Sequence, residues 1–237
     1  MTTRLYFTTS PAPYTPGVVR GTWTNSTLAA ANTYELGRAR AGTNVLVSLD
    51  DTVATNPFRG LLHRHVSGPL AGGTIIGGGG VGYTHAQARQ ESNLAANMTV
   101  AVHIWFTVGD TDTVRSTFAN MFIGATEFAT TMTNFYYTTP DTATASFQAG
   151  DRMVVEMGYN AAQAVTTLYT GSMRIGGTAA DAGTTSTTTG VTANCPWIEF
   201  PATADAALAA YTPPAGGASS MPMAHSGYAR LRPLLVR

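Results

Sequence analysis

Alternation of apolar and polar side chains is the strongest pattern in the chain. From Asn97 to Val108, Met98, Val100, Val102, Ile104, Phe106 and Val108 alternate with Asn97, Thr99, Ala101, His103, Trp105 and Thr107, the period-two signature of a strand with one buried face. Gly109-Asp110-Thr111-Asp112 follows with turn residues, and Thr113 to Ile123 resumes a β-favouring run. This predicts a hairpin whose turn is capped by the Asp side chains. Arg152 to Tyr159 is a second clear strand, with Met153, Val155, Met157 and Tyr159 on one face and Arg152, Glu156 and Gly158 on the other. Shorter strands are predicted over Arg4 to Thr8, Asn44 to Leu49, Gly60 to Val66, Ile75 to Arg89, Thr133 to Thr138, Thr166 to Ile175 and Trp197 to Phe200. Only Ala204 to Ala210 has helical spacing. Many short strands without intervening helices predict an all-β fold, an antiparallel two-sheet β-sandwich of jelly-roll-like form with an extended C-terminal arm.

Three stretches interrupt the pattern. Ser10 to Gly17 holds three prolines, so residues 1–17 read as a first strand joined through a stiff extended arm. Residues 176–194 form a Thr, Gly and Ala tract whose single large apolar residue is Val191, which predicts an exposed loop. The sandwich domain is expected over residues 1–200. Residues 201–237 form an Ala-, Pro- and Gly-rich arm ending in Arg230-Leu231-Arg232-Pro233-Leu234-Leu235-Val236-Arg237. At about 3.3 Å per residue such an arm spans on the order of 120 Å when extended, well beyond its own domain.

Composition sharpens the reading. At 237 residues and 44% hydrophobic the chain can bury a real core, yet only 11% of it is charged, less than half the roughly 25% usual for soluble domains. Thirteen Arg balance thirteen Asp and Glu, lysine is absent, and Thr (39), Ala (36) and Gly (25) supply much of the rest. Zero formal net charge removes the cationic footprint that nucleic-acid binding requires, so no nucleic-acid partner is expected. No apolar run reaches the 18 or so residues of a spanning helix, and Thr-Thr-Arg-Leu-Tyr-Phe after Met1 is not a secretory leader. A soluble chain made in a cytoplasm, without a membrane partner, is expected.

Candidate chemistry is sparse. His63 and His65 flank Arg64 at the i, i+2 spacing that places two imidazoles on one strand face, but zinc needs a third ligand and none is near in sequence. Two polar-face histidines bonded to neighbours are expected instead. His85 and His103 have no partner in the pattern. Asp110 and Asp112 lack the Gly and distal Glu of a calcium loop, and Asp50-Asp51 reads likewise as turn residues. Gly77 to Gly80 is not followed by Gly-Lys-Ser/Thr, so the glycines read as a bend or bulge rather than a phosphate cradle. The single cysteine, Cys195, cannot form an internal disulfide and reads as a packed residue, while Glu35, Glu91, Glu127, Glu156 and Glu199 are scattered singly. No enzymatic activity, cofactor or metal is expected.

Several segments carry a family likeness in order along the chain. They are Thr3-Arg4-Leu5-Tyr6, His65-Val66-Ser67-Gly68-Pro69-Leu70-Ala71, Arg89-Gln90-Glu91-Ser92-Asn93-Leu94-Ala95-Ala96-Asn97, Thr113-Val114-Arg115-Ser116-Thr117, Gln148 to Gly158 and Cys195-Pro196-Trp197-Ile198-Glu199-Phe200. Over about residues 1–200 the sequence resembles a family of tailed-bacteriophage virion structural proteins. The resemblance implies a β-sandwich on the capsid exterior of a virion, synthesised in the host bacterial cytoplasm. Its first expectation is a head decoration protein that binds and stabilises the assembled major capsid shell, with the major capsid protein and copies of itself as partners. Arg230, Arg232, Leu234, Leu235 and Val236 are the expected contacts, joined by Leu5, Tyr6 and Phe7 if the first strand pairs with a neighbour. A neutral surface suits such repeated contacts, because like charges would otherwise accumulate. The alternative is a minor tail or fibre-associated protein whose sandwich binds a host glycan, with Trp23, Trp105, Tyr136 and Tyr137 as stacking platforms.

Overall fold

The computed structural model describes residues 3–26, 33–51, 57–76, 82–90, 97–139, 144–163, 169–179 and 194–213, with side chains at all of these except 82–90 and 136–139. Fourteen strands occur among the described residues: β1 (Thr3–Pro11), β2 (Asn25–Ser26), β3 (Thr33–Gly37), β4 (Val45–Asp51), β5 (Phe58–Ser67), β6 (Gly73–Ile76), β7 (Gly82–Gln90), β8 (Met98–Thr107), β9 (Val114–Glu127), β10 (Thr133–Thr139), β11 (Thr144–Phe147), β12 (Arg152–Ala161), β13 (Tyr169–Ile175) and β14 (Trp197–Phe200). A 3-10 turn at Ala202–Ala204 leads into the short helix α1 (Asp205–Leu208). The fold is all-β and sandwich-like, as the alternation predicts.

Twelve strands form one curled sheet in the order β4-β13-β7-β14-β1-β3-β5-β12-β8-β9, with β10 added on β7 and β2 on β5, while β6 and β11 pair separately. The curl folds the sheet onto itself. Tyr159 of β12 donates to the Leu49 carbonyl oxygen of β4 at 3.0 Å, and Phe118 of β9 meets Phe200 of β14 with ring centroids 5.7 Å apart. Between these layers lies the main core, which includes Phe7, Phe58, Ile104, Phe106, Phe128, Met157 and Ile198. β1 and β14, the two ends of the family likeness, are antiparallel neighbours, with Thr3 opposite Phe200 and Tyr6 opposite Trp197.

Among the described strands, pairing departs from the expected all-antiparallel scheme where β2 and β3 run parallel to β5. The chain leaving β1 crosses the outer face of the sheet before β3 takes its place between β1 and β5, and a crossover of that length permits parallel pairing. The predicted strand Ile75 to Arg89 divides between β6 and β7, which belong to different sheets; Gly77 to Gly80 lie outside the described residues.

The ends of the domain also differ from expectation. Ala204, Ala207 and Leu208 are buried, and backbone bonds join Ala71 N–H to Ala209 O (2.7 Å) and Tyr211 N–H to Pro69 O (2.9 Å). The folded body therefore runs through Tyr211 rather than stopping at residue 200. Within the predicted exposed loop 176–194, Gly176, Gly177 and Asn194 are buried, because Gly176 N–H bonds Phe7 O at 2.8 Å and the chain bridges from Ala179 to Asn194. Residues 180–193 lie outside the described residues.

Candidate functional site

The outer face of β5, β12 and β8 carries an unusual set of side chains for a strand face directed away from the core. Cross-strand register places Arg64, Glu156 and His103 in one row and Val66, Val154 and Trp105 in the next. All six are buried. Alternation predicts one covered face for β12, whereas every residue from Arg152 to Ala161 is buried, because the Pro-rich segment from Ala12 to Trp23 lies across the second face as a strap. Ala12, Tyr14 and Val18 pack on Val66, Trp105 and Val154 as a small second core.

Buried Arg64 and Glu156 and half-buried Asp112 hold the strap, largely by its backbone. Arg64 donates from Nη1 to Val18 O (2.7 Å) and from Nη2 to Pro16 O (2.5 Å) and the Thr33 hydroxyl (3.2 Å). Glu156 accepts from the Arg20 N–H at Oε1 (2.9 Å) and from the Gly21 N–H (2.8 Å) and Trp23 Nε1 (2.9 Å) at Oε2. Asp112 accepts from the Tyr14 hydroxyl (2.9 Å) and the Gly17 N–H (2.8 Å). A buried charge is tolerated only when its lone pairs or protons are satisfied, and here the strap supplies the partners. Burial and the bond to Asp112 push the Tyr14 hydroxyl up to about 12. Desolvation lowers the Arg64 guanidinium, with Glu156 and Asp112 opposing the shift.

This geometry corrects the turn prediction. Asp112 ties down the strap and Asp110 pairs with Arg152, while Thr111 closes the turn by bonding Val108 O (2.7 Å) and accepting from Thr113 N–H (3.2 Å). A groove of about 350 Å³ opens beside the strap, lined by Arg20, by His103 and Trp105 of β8, and by Val114, Thr117, Phe118 and Asn120 of β9. The Arg20 guanidinium carbon lies 5.7 Å from the Trp105 ring centroid. Nδ1 of His103 and Nε1 of Trp105 have no hydrogen-bond partner. Burial lowers the His103 imidazole, with Glu156 opposing.

No family model matches the chain, and no curated protein matches it. Among solved structures the chain is similar to a structure of the infectious bursal disease virus Gx strain, with 11% identity over 68% of this chain and 34% of that one, and a TM-score of 0.21. A likeness of that size carries no argument about fold or function.

The histidine pair sits elsewhere than expected. β12 opposes Met157 to His63 and Gly158 to Leu61, so Leu62 is an extra residue in β5. A one-residue bulge reverses the side-chain faces beyond it, which turns His63 and His65 into the main core and sends Arg64 and Val66 to the strap. Phe7 lies 5.8 and 4.9 Å from the two imidazoles, which are themselves 4.9 Å apart. Both nitrogens of His63 and Nε2 of His65 lack partners, while His65 Nδ1 lies 3.2 Å from Glu35 O. They are core histidines, not polar-face ones. Burial drives His63 well below its ordinary range and His65 down to about 3. Among the described residues no three His, Cys, Asp or Glu converge as a metal site.

β1 is bonded within its own chain, to β14 through residues 3–6 and to β3 through Tyr6, Phe7 and Pro11. Leu5 and Phe7 lie in the core, and half-buried Tyr6 has the Arg40 guanidinium over its ring at 6.0 Å. Arg230, Arg232, Leu234, Leu235 and Val236 lie outside the described residues, as do the side chains of Tyr136 and Tyr137. Trp105 is fully buried and presents no open face as a stacking platform, while half-buried Trp23 donates its indole N–H to Glu156. Cys195 is buried with its thiol 3.6 Å from Phe7 O.

Proposed function

We propose that the chain is a non-enzymatic virion structural protein of a tailed bacteriophage, a head decoration protein that binds and stabilises the assembled major capsid shell. One observation carries the reading beside the family likeness: the charged side chains serve the sandwich itself. Glu156 and Asp112 hold the strap, Asp151 accepts from Gly109 N–H, Gln148 N–H and Arg115 Nε, and Glu199 pairs with Arg4. With these groups engaged and so few charges in the sequence, the surface is left largely to Thr, Ala and Gly, which suits dense repeated packing. The partners are the major capsid protein and further copies of this chain, and the C-terminal residues Arg230, Arg232, Leu234, Leu235 and Val236 supply contacts.

The test is addition of purified protein to phage heads assembled without it, read by co-sedimentation. Saturation at a fixed ratio to the major capsid protein supports decoration. Binding to isolated tails but not heads supports the minor-tail alternative, and binding to neither overturns both.

A further inference from the structure

Glu156, Asp112, Asp151 and Glu199 are bonded within the chain, but the charged groups of Glu35 and Arg38 are not. The Glu35 carbonyl oxygen accepts from the Thr8 hydroxyl and lies 3.2 Å from His65 Nδ1. Among the described residues neither the Glu35 carboxylate nor the Arg38 guanidinium has a hydrogen bond or ion pair, and Asp205 acts on Arg38 only through its charge. Both side chains line a groove of about 250 Å³ at the end of β3, together with Pro69, Tyr211 and the buried Leu36 and Leu70. Arg38 and Pro69 are exposed, and Glu35 and Tyr211 are half-buried, so an occupant can reach them.

The chain itself contains a segment of complementary chemistry. Tyr211 lines the groove, and the C-terminal arm leaves the body beside it through Thr212 and Pro213. Residues 214–237 carry Arg230, Arg232 and Arg237 and no acid, so in a formally neutral chain residues 1–213 hold three more acids than arginines. Arm and body therefore attract. The fold already grips one proline-containing segment with an arginine and an acid: Arg64 donates to the carbonyl oxygens of Pro16 and Val18, and Glu156 accepts from the Arg20 and Gly21 amides. Arg38 and Glu35 repeat that pair of charges at the groove, and Arg232-Pro233-Leu234-Leu235 offers a guanidinium, carbonyl oxygens and aliphatic side chains. Two prolines in succession, Pro213-Pro214, favour an extended exit that carries the arm away from its own groove and toward a neighbour.

We infer that the groove receives residues 232–235 of a second copy's C-terminal arm, with Glu35 pairing with Arg232 and Arg38 donating to the arm's carbonyl oxygens. Because the groove lies at the root of the arm, two copies exchange arms reciprocally, and each pair of copies makes the contact twice. The inference rests on the proposed reading that copies of the chain contact one another, and not on the particle.

The experiment is sedimentation velocity of the full chain and its variants without phage heads, so that its outcome is independent of head binding. Self-association that rises with protein concentration is expected. It should weaken about tenfold or more in Arg232→Gln, and equally in the double variant Glu35→Gln, Arg38→Gln. The circular dichroism spectrum should stay unchanged, because the Glu35 and Arg38 charges bond nothing among the described residues. Glu35→Arg and Arg232→Glu should each associate poorly alone and recover when mixed, since the groove of the first variant then meets an arm of opposite charge from the second. A monomer at every concentration up to about 1 mM, association unchanged in the variants, or no recovery on mixing would overturn the inference.

Discussion

A Cβ on residue 158 would stand 1.9 Å from the carbonyl oxygen of Gly60. This contact of Gly158 on Gly60 is where β12 meets the bulge of β5, and the bulge turns His63 and His65 inward and Arg64 toward the strap. Backbone cannot yield as a flexible side chain can, so Gly158→Ala forces the register apart. The expected loss is about 3 kcal/mol, at the upper end of overpacking costs, measured by urea unfolding. An unchanged midpoint would show that the bulge tolerates a methyl group. Gly171, whose Cβ would meet the Tyr159 ring at 2.4 Å, is a milder case because the ring can shift.

Glu156→Ala removes the acceptor for two strap amides and an indole N–H. A lost buried charged partner costs about 3 kcal/mol or more. Besides lower stability, hydrogen exchange at the Arg20 and Gly21 amides should accelerate far more than at Ile104 in the core. Equal acceleration at all three sites would mean that the strap has no separate hold.

Acid should destabilise the fold through the histidine pair. The imidazoles are neutral when folded, His65 down to about pH 3, but protonate near 6.5 when unfolded. The unfolded state therefore binds more protons below pH 6.5, and stability falls as pH drops from there toward 3. His65 alone should cost about 2 kcal/mol at pH 5 relative to pH 7, and His63 acts in the same direction. Unfolding free energies at the two pH values check this. His65→Phe should flatten the dependence, and a slope unchanged in that variant would contradict the assignment.

Truncation separates the C-terminal arm from the body. Removing residues 214–237 should leave the melting temperature unchanged while weakening binding to heads. Removing residues 202–237 also takes Ala204, Ala207 and buried Leu208 and should lower stability by about 3 kcal/mol or more. Full head binding by the shorter truncation would remove the arm from the proposed contacts.

How much of this was legible follows from range. β8 and β12 are readable because alternation over ten residues is a local signal, and the turn at Gly109 to Asp112 is readable from its residue types. The strap is not, since nothing in Arg152 to Ala161 says that Ala12 to Trp23 will cover its polar face. Glu156 among the apolar residues of β12 was the available clue: an acid inside a strongly apolar strand needs donors from elsewhere in the chain. The inward turn of His63 and His65 depends on a single inserted residue, which hydrophobic pattern does not mark. Short strands such as β3 and β11 escape because four or five residues carry little periodicity.

The central claim is a structural role in the particle, and the copy number of the chain in purified virions, measured by quantitative mass spectrometry against the major capsid protein, tests it most directly. A copy number in fixed, near-stoichiometric proportion to the major capsid protein is the predicted result; absence of the chain from purified virions would contradict it.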